Sequence, residues 1–339
     1  MKDRKAVARW GSRSAVRLTD LALLVRAPAA LSVPGDVIAG AAAAGRPLGV
    51  RTLGVMGSSV CLYWAGMALN DYADATVDSV ERPDRPVPSG RVPRRTALAV
   101  AGSLTAAGIG LAAAAGGRRS VGVALPLAGL VWAYDLKLKS KPVGGVAMAG
   151  ARVLDVLAGA VASGAGAGAA SVGVALRRAA VPAGLVGVHT GTLMALSRHE
   201  VGGAPVRVPA ATLAVSTVTA VATAIPVKRV AMAPRGGAAV RHSPAPLKGV
   251  AGTAPSKRLR VGLVAAGALA YLGTYGAAQV RAVQEPSGEN VRRAVGAGIL
   301  GLMPLQAALT ARGGAPVVAA ALGVVHPLAR RLARRISPT

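Results

Sequence analysis

Asn70, Asp71, Asp74 and Asp78 stand together directly after a mostly apolar stretch at 50–70, and three of the chain's 13 acidic residues are among them. Carboxylates at the end of a membrane-length apolar run are costly and mark functional sites. On a helix, Asn70, Asp74 and Asp78 lie at i, i+4 and i+8 and share one face, roughly 6 Å apart along the axis. Amide and carboxylate oxygens in that pattern suit Mg²⁺, which takes hard oxygen ligands and leaves positions open for phosphate. The sequel, Glu81 to Arg91, carries Arg82, Arg85 and Arg91 in a Pro/Gly-rich segment. Its guanidinium and backbone N–H groups are of the kind that hold phosphate oxygens. Metal plus arginine beside an apolar run points to a ligand with a diphosphate head and a long apolar tail. The plainer alternative is a solvated loop of surface ion pairs.

Three further constellations carry charge near apolar blocks. Trp132-Ala133-Tyr134-Asp135-Leu136-Lys137-Leu138-Lys139 closes the fourth block. Its aromatics fit an interfacial belt and its lysines can snorkel, but Lys139 is also placed to neutralise a diphosphate. Arg152 and Asp155 lie three apart in the fifth block, so they can pair, either structurally or at a site. Asp36 is a similar isolated charge in the first block. Leu196 to Gly203 contains Arg198, His199 and Glu200. Glu200 is a candidate ligand for a second metal, Arg198 for phosphate and His199 for a base, although a lone histidine is more often structural. No zinc, Ser/His/Asp or Cys/His spacing occurs, and the Gly-rich tracts lack a Walker lysine.

The elements that must position these groups are membrane spans. Hydrophobic residues are 53% of the chain and charged residues 16%, against about 25% in soluble domains. Apolar blocks fall at 28–45, 50–70, 96–116, 120–135, 143–170, 179–197, 208–227, 259–280, 293–311 and 315–329, giving nine or ten candidate spans. The fold class read from this is all-α, a polytopic transmembrane bundle of about nine helices. Residues 1–20 read as a basic cytoplasmic tail, 21–329 as the membrane domain with a basic, disordered loop at 228–258, and 330–339 as a second basic tail. The net charge of +27 assigns the arginines to loops facing the cytoplasm and anionic lipid, and not to nucleic acid, for which stacking aromatics are nearly missing. Counting Lys and Arg places the N-terminus and the loop at 71–95 in the cytoplasm of a multi-pass plasma-membrane protein, although the basic stretch at 228–258 falls outside by parity. Cys61 is the lone cysteine and permits no intrachain disulfide.

Asn70-Asp71-x-x-Asp74-x-x-x-Asp78 followed by Arg85-Pro86-Val87-Pro88-Ser89-Gly90, together with the segment from Tyr134 to Lys139, resembles the UbiA superfamily of intramembrane prenyltransferases over residues 20–311. With Leu196-Ser197-Arg198-His199-Glu200, the pattern is most similar to an actinobacterial UbiA-like subgroup. The resemblance implies Mg²⁺-dependent transfer of a prenyl group from a polyprenyl diphosphate, in a cavity open sideways to lipid. It implies that Asn70, Asp74 and Asp78 bind Mg²⁺–diphosphate, that Asp71 supports them, and that Arg85 and Lys139 contact phosphate. The catalytic expectation rests on Asp74, Asp78, Lys139 and Arg198. The chain departs from the family at the second aspartate-rich helix end, where only Glu200 remains as an acid and Arg198 stands as a cation that takes over part of a second metal's work. That departure keeps open a non-catalytic protein that binds or transports a prenyl lipid or diphosphate on the same scaffold.

Overall fold

The structure is a computed structural model that describes residues 16–162, 171–225 and 257–324. Every regular element among them is helical. The short α1 (Leu18–Leu24) and a 3-10 segment (Ala27–Ser32) lead into α2 (Val33–Ala44). There follow α3 (Val50–Ala73), α4 (Ala75–Glu81), α5 (Arg94–Ala133), a π-helical turn (Tyr134–Leu138), α6 (Gly144–Val161) and α7 (Val172–Ser197). Then come α8 (Arg207–Ala224), α9 (Lys257–Tyr271), a second π-helical turn (Leu272–Gly276), α10 (Ala277–Gln284) and α11 (Gly288–Gly313). The expected 228–258 loop falls on residues outside the described ones, except for Lys257 and Arg258, which open α9, and the 330–339 tail lies wholly outside them. Residues 18–20, assigned to the N-terminal tail by sequence, already belong to α1, and Asp20 is buried.

Continuous as drawn, α5 would be about 60 Å long, twice the hydrocarbon thickness of a bilayer. It is a hairpin. Gly117 has φ 60° and ψ −147°, a conformation open essentially only to glycine. The indole N–H of Trp132 donates to Thr105 Oγ1 at 3.0 Å, which brings the two arms side by side. The third and fourth apolar blocks are therefore separate crossings, as their polar interruption at Arg118-Arg119 indicates. Seven helical stretches among the described residues are long and apolar enough to cross a membrane, and the hairpin is one of them. Counting both of its arms and the short apolar α2 gives nine crossings, in line with the expected bundle.

Small residues set the closest approach. A Cβ added at Gly40 would collide with the Val156 carbonyl, and one at Gly159 with the Val37 carbonyl. Thus α2 and α6 touch backbone to backbone through a reciprocal glycine pair, the packing that lipid favours because it offers little hydrophobic drive between helices. Gly159→Ala is expected to destabilise this contact by about 1–3 kcal/mol through overpacking, read as a lower unfolding temperature in detergent. The same helices are clasped by charge. Arg152 Nε pairs with Asp36 at 3.0 Å, and Gln306 Nε2 of α11 donates to Asp36 Oδ1 at 2.7 Å and to the Ser32 carbonyl at 2.8 Å. The partner of Arg152 is therefore Asp36, across helices, and not Asp155 three residues along its own helix. This corrects the reading from spacing alone: a bundle interior brings distant charges closer than one turn does.

Candidate functional site

The candidate site is built where α3 ends. Asp74 leaves the helical region (φ −89°, ψ 3°) and separates α3 from α4. The backbone bonds nevertheless continue in helical register: Asp74 N to Asn70 O at 2.9 Å, Asp78 N to Asp74 O at 2.8 Å and Arg82 N to Asp78 O at 2.8 Å. The i, i+4, i+8 alignment of Asn70, Asp74 and Asp78 therefore survives the break. Asp71 and Asp78 are each 2% exposed, while the Asp74 side chain is 26% exposed and is the most accessible of the three acids.

Each of these carboxylates faces a cation drawn from a different part of the chain. Arg85 Nη1 donates to Asp78 Oδ2 at 2.6 Å and to Asp71 Oδ1 at 3.4 Å, so one guanidinium ties two buried acids. Arg26 Nη2 donates to Asp71 Oδ1 at 3.2 Å. Arg82 stands 3.8 Å from Asp78. Lys139 Nζ pairs with Asp74. Asn70 Nδ2 donates to Asp135 Oδ1 at 3.2 Å. The sequence reading brought Arg85 and Lys139 to this site, and the structure does so too.

It also adds two residues that the sequence reading passed over. Arg26 precedes the first apolar block and meets Asp71 only through tertiary folding. Its φ of 47° is the only positive value at a non-glycine residue among those described, which is strain held at the site. Asp135 lies within 132–139, among aromatics and lysines that suit an interfacial belt. An acid closing an apolar block was the available signal.

Local chemistry explains the positions. The turn from Tyr134 to Leu138 is π-helical, closed by Lys139 N to Tyr134 O at 2.9 Å. In an α-helix Asp135 and Lys139 would be an i, i+4 pair. Across the wider turn Asp135 meets Asn70 and, one turn further along, Lys139 meets Asp74. The segment carrying Arg85 is pinned by Arg91, which pairs with Asp20 at 2.9 Å and donates to the Asp84 carbonyl at 2.6 Å. Arg94 stacks 4.4 Å above the Tyr72 ring.

The second motif comes to the same end of the bundle with a different role. Arg198 Nη2 donates to the carbonyls of Lys141 at 3.0 Å and Pro142 at 2.9 Å, tethering the end of α7 to the segment after Lys139. Burial pushes the Glu200 carboxyl above its ordinary range, and Arg292 and Arg82 oppose that rise. Glu200 thus lies within electrostatic reach of Arg82, itself beside Asp78. The backbone of His199 bonds at the helix end, His199 N to Leu196 O at 2.9 Å.

Among the described residues, no three acidic, histidine or cysteine side chains converge to enclose a metal ion. That fits Mg²⁺ all the same, because Mg²⁺ is usually held by one or two carboxylates plus substrate phosphates and waters, not by an all-protein cage. The oxygen donors of Asn70, Asp74 and Asp78 suit it. Beside Arg26, an apolar groove of about 480 Å³ runs between α1, α3 and α5, lined by Leu21, Val25, Trp64, Val100 and Leu104 among others.

Known proteins share this architecture. Digeranylgeranylglyceryl phosphate synthase of Methanopyrus kandleri is 41% identical over 116 residues, which are 34% of this chain and 41% of that protein. The matched part is therefore well short of two thirds of the relative's length. A solved structure of digeranylgeranylglyceryl phosphate synthase aligns with a TM-score of 0.58 at 15% identity, over 88% of this chain and 99% of that one. A UbiA homolog from Archaeoglobus fulgidus bound to DMAPP and Mg²⁺ aligns with a TM-score of 0.52 at 14% identity, over 84% and 99% of the two chains. At such identities the structural likeness is one of fold. The profile of the UbiA prenyltransferase family matches residues 32–234, more than half of the chain and including the whole run from Asn70 to Arg91 as well as Lys139 and Arg198. By that match, an all-helical membrane bundle with acids and cations interleaved at the end of α3 belongs to the UbiA prenyltransferase family.

Proposed function

We propose that the chain transfers a prenyl group from a prenyl diphosphate to a nucleophilic acceptor, at the cluster formed by Asn70, Asp71, Asp74, Asp78, Arg26, Arg85 and Lys139. The observation that carries this reading is the alternation of charge: Asp71, Asp74 and Asp78 are each matched by Arg26, Arg85 or Lys139. A diphosphate can enter such a cluster by exchange. Its oxygens take the Arg85, Arg26 and Lys139 donors, and the released carboxylates turn to a divalent cation. Mg²⁺, when bound by Asn70, Asp74 and Asp78, supplies a Lewis-acid counter-charge to the diphosphate.

The chain's own groups then act on charge that develops as the allylic C–O bond breaks. Lys139 and Arg85 stabilise the leaving diphosphate. Apolar walls keep water from the allylic cation, which the acceptor's electron pair captures. The acceptor's proton leaves with the diphosphate, so the exchange balances. Glu200 and Arg198 support the site from the end of α7, with Arg198 holding the segment that carries Lys139.

The relatives' name describes a glyceryl phosphate bearing two geranylgeranyl groups. A geranylgeranylglyceryl phosphate acceptor is accordingly the first to try, ahead of aromatic rings, quinone precursors, sugars and cyclitols. Purified protein is incubated with Mg²⁺, labelled prenyl diphosphates of several lengths and each acceptor class. Transfer that requires Mg²⁺ supports the proposal. Diphosphate binding without transfer to any acceptor supports the alternative of a binding or transport protein, for which the single acid at the second motif speaks. Absence of both sinks the reading.

A further inference from the structure

Asp135 is the acid of the site to which the proposed reaction gives no role. Among the described residues, Asp71, Asp74 and Asp78 each carry an ion pair, and Asp135 carries none. It is nonetheless buried, at the start of the π-helical turn. Its Oδ1 accepts a hydrogen bond from a neutral group, Asn70 Nδ2, at 3.2 Å. Burying a carboxylate without a cation is costly. What the site gains in return must come through the amide that the carboxylate meets.

The fold sets these two side chains against each other. Asn70 lies in the last turn of α3, one turn after Gly66 on the same face. A Cβ on Gly66 would stand 2.9 Å from Val131 Cγ1 and 3.5 Å from Asp135 Oδ2, so the missing side chain admits the end of α5 and the turn after it to the surface of α3. Trp132, bonded to Thr105, and Lys139, paired with Asp74, hold that segment on either side. Asp135 therefore reaches Asn70 from a fixed direction. An asparagine amide has two ends of similar shape and opposite use: Oδ1 accepts hydrogen bonds and binds cations, while Nδ2 only donates. An ionised carboxylate only accepts, so it can meet Nδ2 and not Oδ1. Asn70 Oδ1 is left on the other edge of the amide, and among the described residues no donor takes it.

We propose that Asp135 is a positioning residue for a divalent cation: it holds the Asn70 amide with Nδ2 toward itself and Oδ1 toward the cation. This rests on Asn70, Asp74 and Asp78 holding that cation, as proposed above. Asp135 acts through Asn70 and is not itself a ligand. The amide is oriented before the cation arrives, so it need not turn over when one binds. The same contact accounts for an amide, and not a third carboxylate, at the first position of Asn70-x-x-x-Asp74-x-x-x-Asp78. A carboxylate there would face the Asp135 carboxylate as a like charge.

The test titrates the full chain in neutral detergent with Mn²⁺, which takes the same oxygen ligands as Mg²⁺. Binding is read from the loss of the free-ion electron paramagnetic resonance signal. Asp135→Ala is expected to weaken Mn²⁺ binding about 10-fold, the low end of the roughly 10–100-fold typical of groups that orient a metal's ligand. Asp135→Asn keeps an oxygen that can accept from Asn70 and is expected to lose less. In the Asn70→Ala background, Asp135→Ala is expected to add nothing, because no amide is left to orient. Asp135 carries no ion pair, so these substitutions strand no cation, and unfolding temperatures are read alongside. Losses that multiply in Asn70→Ala/Asp135→Ala would show Asp135 acting through its own charge and overturn the proposal. Unchanged affinity in Asp135→Ala, with weakened binding in Asp74→Asn, also overturns it and leaves the metal site standing. If Asp135→Ala and Asp74→Asn both bind as the wild type does, the metal reading itself fails and the positioning role falls with it.

Discussion

Asp74→Asn is expected to lower kcat/KM for prenyl transfer by about 10²–10³-fold while leaving the fold intact. Asp74 is the most accessible acid of the cluster and stands where helical geometry breaks, so its carboxylate can turn from Lys139 to an incoming cation with little rearrangement of the backbone. The asparagine keeps the shape and one oxygen but removes the charge. Because the Asp74–Lys139 pair is about a quarter exposed on both sides, its loss costs stability little, within about 1 kcal/mol. Unfolding temperature and kinetics therefore separate. Lys139→Gln is expected to reduce turnover as well, and the double variant to lose less than the product of the two, since both act on the same diphosphate. Full turnover in Asp74→Asn at saturating Mg²⁺ is the result that would remove Asp74 from the reaction.

Arg85→Ala is expected to act differently, on stability and binding together. Its guanidinium joins Asp78 and Asp71, two acids almost wholly buried. Removing it leaves two like charges close together in a poorly solvated place. Truncating one partner of a fully buried pair costs 3–5 kcal/mol; with Arg85 20% exposed, and Arg26 and Arg82 still nearby, about 2 kcal/mol is expected. Arg85→Lys recovers only part, because a single ammonium cannot span two carboxylates as the planar fork does. The measurements are thermal unfolding in detergent and calorimetric titration with Mg²⁺ and inorganic diphosphate. An Arg85→Ala protein with unchanged unfolding and unchanged diphosphate affinity would show that this residue is neither a structural tie nor a ligand.

What could be read from the chain, and what could not, follows from the range of each interaction. Asn70, Asp74 and Asp78 were legible because their spacing is local and their setting, polar groups ending an apolar block, is unusual. Lys139 followed from the charge expected of the ligand, and Arg85 from the resemblance to the UbiA superfamily. The pairing of Arg26 with Asp71 links residues 45 apart, and that of Asn70 with Asp135 residues 65 apart. Neither leaves a periodic trace. Spacing also misled where it was the only guide: Arg152 reaches Asp36 on another helix in preference to Asp155 on its own. The nine crossings were legible from hydropathy, and the α5 hairpin from two arginines between apolar blocks. The glycine pair between α2 and α6 was not, because Gly40 and Gly159 are two among 44 glycines and only the fold picks them out.

The π-helical turn at Tyr134–Leu138 has a consequence for how this chain can change over time. A turn closed over five residues is an α-helical turn with one residue inserted, and the side chains after it are rotated by about 100° relative to an uninterrupted helix. Upstream, Trp132 is held against Thr105 and Asp135 against Asn70; downstream, Lys139 must find Asp74. Substitutions within the turn preserve that phase, whereas the loss of one residue rotates Lys139 by about 100° away from Asp74. Here residue number matters more than residue type, so point changes can accumulate at Leu136 or Leu138 while the length between Asp135 and Lys139 stays fixed.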